Sequence, residues 1–182
     1  MGNGQESSAL DATRCRILVI GCGGAGKSTV ARRIGDTLQL PVVHLDQLYW
    51  RSGWVPTPPD EWAHLVASLC AREHWVMDGN YGGTIDARLA ACDAVIFLDA
   101  PRYVCLWRVV RRAIRYRGRT RPDLAEGCRE RLTWEFVSWI WTYAGRRRPG
   151  ILTKLAALPH EKRSIVLRSS RDVDRFLHSL QN

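Results

Sequence analysis

Along the chain, short unbroken apolar runs alternate with stretches in which apolar residues recur every three or four positions. The first pattern marks a strand buried on both faces, and the second marks an amphipathic helix. Residues 16–20 (RILVI), 41–46 (PVVHLD), 75–79 (WVMDG), 93–100 (DAVIFLDA) and 163–168 (RSIVLR) read as five strands. Residues 25–38 read as a helix with Val30, Ile34 and Leu38 on one face, and 61–74 as a helix behind an Asp60 N-cap. A long helix begins near Pro101 and runs to about Tyr116. Residues 128–145, 149–158 and 171–180 are helical, while Gly and Pro mark 51–59 and 117–127 as loops. In 128–145, Trp134, Val137 and Trp141 fall on one face and Phe136 and Ile140 on another, as core packing requires. Strands alternating with helices predict an α/β domain with a doubly wound, mostly parallel sheet.

At 182 residues the chain is long enough for one domain with its own core. No apolar stretch approaches the roughly 20 residues needed to span a bilayer. Residues 1–13 are polar, lack the apolar centre of a signal peptide and read as a disordered leader ahead of a domain over 14–182. Six cysteines without a CxxC motif fit buried thiols in a reducing cytoplasm. Charge changes the picture more. The chain has 24 arginines and only three lysines, and its net charge is +9. Residues 102–148 hold 13 of the arginines against four acids, so this one segment carries the whole excess. Such a concentration attracts an anion: nucleotide phosphates, nucleic acid or an acidic partner.

One of the rare lysines sits in GCGGAGKS, residues 21–28, followed by Thr29. The string fits the phosphate-loop (Walker A) pattern GxxxxGK[ST] at every position, with a strand before it and a helix after. Gly21, Gly23, Gly24, Ala25 and Gly26 let successive backbone N–H groups turn inward around an anion. The helix N-terminus adds its positive end. Lys27 sets a compact charge on the terminal phosphates, and the Ser28 hydroxyl is a ligand for Mg²⁺. ATP with Mg²⁺ is the expected occupant. No NKxD string is present to read guanine.

Three acids end apolar runs: Asp46, Asp78 and Asp99. Asp78 and Asp99 are alternatives for the carboxylate that holds Mg²⁺, and the longer run before Asp99 favours it on pattern alone. Strand C-terminal ends line the ligand crevice of open α/β sheets, so Asp46 points toward the site, where it accepts a proton from an acceptor hydroxyl or helps hold the metal. His44 reads as a packed strand residue.

Taken in order, GCGGAGKST, VVHLDQLYWRSGWVPTPPDEW, WVMDGNYGGTIDARL, DAVIFLDAPRYVCLWRVVRR, YRGRTRPDLAEGCRERL and EFVSWIWTY resemble the bacterial "DNA topology modulation" proteins, which are adenylate-kinase-like P-loop proteins. The resemblance covers residues 16 to 180. It implies a three-layer α/β/α P-loop fold with a five-stranded parallel sheet in the order 2-3-1-4-5. The third strand then lies beside the phosphate-loop strand, which promotes Asp78 over Asp99 for the metal. Residues 47–74 correspond to the acceptor-binding region, where Trp50 and Trp54 are placed to stack a flat substrate and Arg51 to pair with its anion. Asn80, Tyr81 and Arg88 fall where nucleotide kinases hold the acceptor. Residues 102–148 become a lid with its associated helices, and Arg108, Arg112, Arg117 and Arg121 close over the transferring phosphoryl group. Arg168, ending the fifth strand, joins the nucleotide contacts.

These readings converge on an ATP- and Mg²⁺-dependent phosphotransferase acting on an unidentified small-molecule acceptor, as a cytoplasmic monomer or homodimer. The rival is a P-loop ATPase or regulator that binds DNA, with arginines tracking phosphates and Trp134, Trp139, Trp141 and Tyr143 stacking bases. Helical spacing of those aromatics and the lack of a DNA-reading motif weigh against it.

Overall fold

The computed structural model describes residues 15–118, 121 and 123–181. The leader expected over 1–13 and Arg119 of the arginine loop lie outside them. The first strand, β1 (Cys15–Gly21), is the RILVI run with one residue added at each end. Its side chains alternate between two buried sides: Ile17 and Val19 enter one core, Leu18 and Ile20 the other. A strand apolar at every position requires cover on both faces, and three layers follow from that.

β1 is central. It pairs in parallel with β5 (His74–Asp78) on one side and β6 (Ala94–Leu98) on the other, and β2 (Val42–His44) and β7 (Arg163–Leu167) complete the edges. The sheet order β2-β5-β1-β6-β7 is the expected 2-3-1-4-5 once two short hairpin strands are left out of the count. Those are β3 (Trp50–Arg51) and β4 (Val55–Pro56), an antiparallel pair inside the stretch whose Gly and Pro predict a loop. Their turn holds Trp54 at a positive φ of 66°.

Helices α1 (Lys27–Leu38), α5 (Arg102–Arg115), α6 (Trp134–Arg146) and α8 (Ser170–Ser179) pack on one face of the sheet. Helices α3 (Pro59–Cys70), α4 (Ile85–Ala91) and α7 (Arg148–Ala156) pack on the other. A five-residue helix, α2 (Leu45–Tyr49), leaves β2 directly. None of the helices among the described residues is long and apolar enough to cross a membrane.

Several boundaries differ from the sequence reading. Asp60 does not cap α3. That helix starts at Pro59, whose fixed φ suits the first helical position, and Asp60 and Glu61 lie in the first turn, where their charge meets the helix dipole. The second strand ends at His44, two residues short, so Asp46 stands in the first turn of α2. The helix expected over 128–145 begins at Trp134, because Thr133 caps it by accepting the Phe136 N–H at 3.3 Å. Its core face is Ile140 and Tyr143 with Phe136 and Trp139 packed alongside, not Trp134 and Trp141, which are 79% and 52% exposed. The reason is that α6 is apolar nearly all round, so spacing alone cannot pick the buried side.

Candidate active site

The C-terminal ends of β2, β5 and β1 meet the phosphate loop at one edge of the sheet. Register brings them together: His44 lies beside Asp78, and Asp78 beside Val19 two residues before Gly21. The loop folds back on itself through Ala25 N–H to the Cys22 carbonyl at 3.1 Å, and Lys27 opens α1. The Lys27 ammonium donates to the Gly21 and Cys22 carbonyls, both at 3.1 Å. Asn80 clamps the loop from β5, accepting from Gly21 N–H at 3.1 Å and donating to its carbonyl at 2.7 Å.

The glycines carry the loop's shape. Gly24 has φ +81°, and a Cβ there would fall 2.4 Å from the Cys105 carbonyl oxygen and 2.8 Å from a Val109 methyl. A Cβ on Gly23 would meet the Phe136 ring at 2.7 Å. The loop is therefore pressed directly onto α5 and α6, both within the 102–148 segment. Gly24→Ala is expected to cost about 2–4 kcal/mol through backbone strain and overpacking, lowering Tm by roughly 10 °C. A variant that melts with the wild type in a thermal scan would contradict this contact.

A cavity of about 760 Å³ opens above the loop. Gly23, Gly24, Gly26, Lys27, Ser28 and Thr29 form its floor. On the β2–β5 side stand Asp46, Trp50, Trp54, Asp78, Asn80 and Tyr81, and on the far side Arg108, Arg112 and Arg121. Residues expected to act together from three separate sequence segments thus share one space. The Tyr81 phenol donates to Asp46 at 2.5 Å. Burial first, and then the Asp46 charge, push the Tyr81 pKa far up, so the phenol keeps its proton. Asp78 is buried and bonded to the His44 Nδ1 at 2.9 Å. Burial pushes the His44 pKa down, but the hydrogen bond and charge of Asp78 outweigh it and the net direction is upward. His44 is therefore more than packing: it fixes the Asp78 carboxylate.

Other expectations are corrected. Arg51 points away from the cavity and pairs with Glu61 at 2.5 Å on the surface of α3. Arg88 is fully buried, and each of its three guanidinium nitrogens donates to backbone carbonyls of residues 79–84, so the structure turns it to the chain rather than to the cavity. Arg117 is exposed and lies outside the cavity wall. Asp99 makes a two-pronged pair with Arg148, both contacts at 2.8 Å, which gives it a structural role. Arg168 lies 3.8 Å from Asp99 and lines a second cavity of about 570 Å³. That cavity shares Gly26, Thr29 and Arg108 with the first and is walled by Pro101, Leu167 and Val173. Arg108 stands at the junction, donating to the Ala25 carbonyl at 3.0 Å and the Ser170 hydroxyl at 3.1 Å.

Two acids escape the sequence reading. Glu130 meets Arg121 Nε at 2.6 Å and Arg112 at 3.2 Å, and Asp123 meets Arg121 at 3.1 Å. The chain Arg112–Glu130–Arg121–Asp123 holds these two arginines at the cavity wall. The available signal is the rarity of acids in this segment, since each of four acids among 13 arginines is a candidate partner. Residues 127–129 are also tied to the hairpin: Trp54 Nε1 donates to the Arg129 carbonyl at 3.0 Å, Cys128 Sγ contacts the Arg51 carbonyl at 3.3 Å, and Gly127 packs against Ser52.

The chain is similar in structure to several solved kinases. A shikimate kinase from Acinetobacter baumannii, in complex with shikimate, matches with a TM-score of 0.60 at 20% identity, covering 93% of each chain. A gluconokinase from Sinorhizobium meliloti 1021 matches with a TM-score of 0.53 at 17% identity, over 93% of this chain and 90% of that one. A shikimate kinase from Aquifex aeolicus matches with a TM-score of 0.53 at 18% identity, over 91% and 96%. No protein-family model matches the chain, and no curated protein matches it in sequence. At these identities the likeness establishes the fold: the three-layer α/β/α architecture of P-loop kinases.

Proposed function

We propose that the protein is an ATP- and Mg²⁺-dependent phosphotransferase that moves the terminal phosphoryl group of ATP onto a hydroxyl of a small acceptor. The observation that carries this reading is the shared cavity. A phosphate loop with Lys27, the arginines Arg108, Arg112 and Arg121, and Asp46, held by the Tyr81 phenol, face one another across a single space. The fold neighbours named as kinases of gluconate and shikimate type support it, as does the resemblance to the DNA topology modulation proteins. The second cavity, between Arg108, Pro101 and Arg168, suits the adenine and ribose of the nucleotide, being apolar on its walls and continuous with the loop.

The residues present fit a magnesium nucleotide. Ser28 and Asp78 offer oxygen ligands on the same wall, and a Mg²⁺ held by one or two protein oxygens and phosphates needs no larger cluster. Among the described residues no group of three or more His, Cys, Asp or Glu converges on a metal position. When bound, the ion supplies charge neutralisation to the phosphates. The chain's own residues do the rest. Lys27, Arg108, Arg112 and Arg121 surround the migrating group with positive charge. Asp46 accepts the proton of the acceptor hydroxyl. Trp50, Trp54 and Tyr81 form an aromatic wall against which the acceptor is placed, and Trp50 and Trp54 pack edge to face at 5.3 Å.

The test is a screen of hydroxylated small molecules and nucleoside monophosphates against γ-labelled ATP. For a hydroxyl acceptor, Asp46→Asn is expected to reduce kcat about a hundredfold or more with little change in the KM for ATP. Near-normal turnover would remove the base role. The DNA reading has one observation in its favour, the exposed arginine–tryptophan pairs Arg102–Trp141 at 4.1 Å and Arg111–Trp107 at 5.3 Å. Fluorescence anisotropy against duplex DNA at varied salt separates the two: tight, steeply salt-dependent binding at physiological salt would favour DNA.

A further inference from the structure

Large apolar side chains are exposed along two neighbouring helices. On α5, Tyr103, Trp107, Val110 and Ile114 recur at spacings of four, three and four, which sets them in one stripe, and Tyr103 and Ile114 are 70% and 73% exposed. On α6, Trp134 and Trp141 lie one heptad apart on the side turned away from the core. The inner side of α5, with Cys105 and Val109, is fully buried, so the helix is packed and still leaves a second apolar side uncovered. The Arg102 guanidinium, at the start of α5, joins the two rows by lying over the Trp141 ring at 4.1 Å. Arg111 lies over Trp107 at 5.3 Å and Arg115 over Tyr116 at 5.9 Å. None of these three arginines forms an ion pair among the described residues. Helix α5 holds no acid, and the one acid of α6, Glu135, lines the cavity instead. An apolar stripe edged by unanswered cations marks a contact surface.

We propose that the α5–α6 face docks on an anionic lipid surface, its apolar stripe entering the headgroup–acyl boundary and Arg102, Arg111 and Arg115 meeting lipid phosphates. Such a contact lies in the plane of the headgroups and needs no spanning helix. Charge selects the occupant. A second copy of this face would set arginine against arginine, whereas anionic headgroups answer them, and a guanidinium laid on a ring keeps its N–H edge for a phosphate oxygen. The side chains separate lipid from other anions. Of the stripe and the two α6 tryptophans, only Tyr103 lines either cavity described above, so the others offer no groove to a peptide helix. Val110 and Ile114 have no ring to stack on a nucleic-acid base, while acyl chains accept them, and Trp and Tyr suit the level of the headgroups. The inference is independent of the phosphotransferase reading. Arg108 and Arg112, which line the cavity, lie across α5 from the stripe, so a docked molecule keeps its active site open.

The experiment sediments the full chain with vesicles of phosphatidylcholine, with and without phosphatidylglycerol. Wild type is compared with Trp107→Ser/Ile114→Ser and with Arg111→Gln/Arg115→Gln. Tyr103 is left in place because it also lines the second cavity. Wild type should bind the phosphatidylglycerol vesicles, less so as salt rises, and leave pure phosphatidylcholine alone. Losing the two apolar side chains should weaken binding at least about tenfold, and each lost arginine about fivefold. ATP affinity by calorimetry should be the same in all three proteins. A thermal scan checks that the variants melt with wild type; should the double apolar variant not, Ile114→Ser alone decides, being the most exposed position of the stripe. No binding to anionic vesicles, equal binding to neutral ones, or binding that both double variants retain overturns the inference. So does a concentration-dependent dimer, or tighter capture of a single-stranded oligonucleotide than of vesicles, that the same substitutions abolish.

Discussion

Lys27→Ala is expected to lower phosphoryl transfer by about three orders of magnitude while leaving the fold intact. The reason begins with how its charge is held. The ammonium rests on two loop carbonyls, Gly21 and Cys22, each at 3.1 Å. No ion pair of Lys27 with an acid is formed among the described residues, whereas Arg112 and Arg121 each face Glu130. Like Arg108, which meets only neutral groups, Lys27 thus carries a charge that no ion pair answers among the described residues, and in the phosphotransferase reading it is the one on the cavity floor that meets charge building on the transferring oxygens. Because its partners are carbonyls of its own loop, truncation leaves no buried ion behind, and the thermal midpoint should move little. Lys27→Arg should not rescue the rate, since a planar fork does not fit where a point charge does. A labelled-ATP assay measures the loss, and a variant within tenfold of wild type would remove Lys27 from the chemistry.

Arg88→Leu is expected to destabilise the protein by about 3–5 kcal/mol, a larger loss than that expected of Gly24→Ala. The guanidinium is fully buried and donates to the carbonyls of Thr84 at 3.3 Å, Gly79 at 2.7 Å and Tyr81 at 2.9 Å, and to that of Asn80. Burial draws its pKa down to about 10, still far enough above neutrality for it to remain a cation. Leucine fills the volume and leaves those four carbonyls without their donor in a site closed to water. Arg88→Lys recovers only part of the loss, because three donors on one nitrogen cannot span the same arc of backbone. Urea unfolding reads the difference, and a cost below about 1 kcal/mol would mean that the loop satisfies its carbonyls another way. Activity should fall together with stability, since the same backbone presents Asn80 and Tyr81.

The sheet is legible in the sequence because its strands are apolar at every position. A run such as RILVI has few other homes, and the phosphate loop punctuates it with glycines at positions where no side chain fits. The floor of the site comes with that motif. The rims are harder. Asp46 and Asp78 are within reach of a sequence reading because strand ends face the crevice. Arg51 and Arg88, which resemblance alone places in the site, serve the hairpin and the 79–84 loop instead. Nothing local to an arginine tells whether its partner is a substrate anion, a nearby glutamate or a ring of carbonyls, because those partners are set by tertiary packing. Asp123 and Glu130 are hidden for the same reason. Their meaning depends on which arginines the fold brings to them, Arg112 and Arg121 for Glu130 and Arg121 for Asp123. Trp134 and Trp141 illustrate a further limit: on a helix that is apolar on several sides, periodicity names the helix and not the buried face.

The ties between residues 127–129 and the hairpin couple two sides of the cavity. Trp54 reaches the Arg129 carbonyl, Cys128 reaches the Arg51 carbonyl, and Gly127 leaves room for nothing larger over Ser52. Joined at three points, the hairpin and the segment that bears Glu130 are coupled, and through Glu130 so are Arg112 and Arg121. Under the phosphotransferase reading, a displacement of the hairpin by an acceptor would reach Arg112 and Arg121 through side chains that grip backbone carbonyls across the seam.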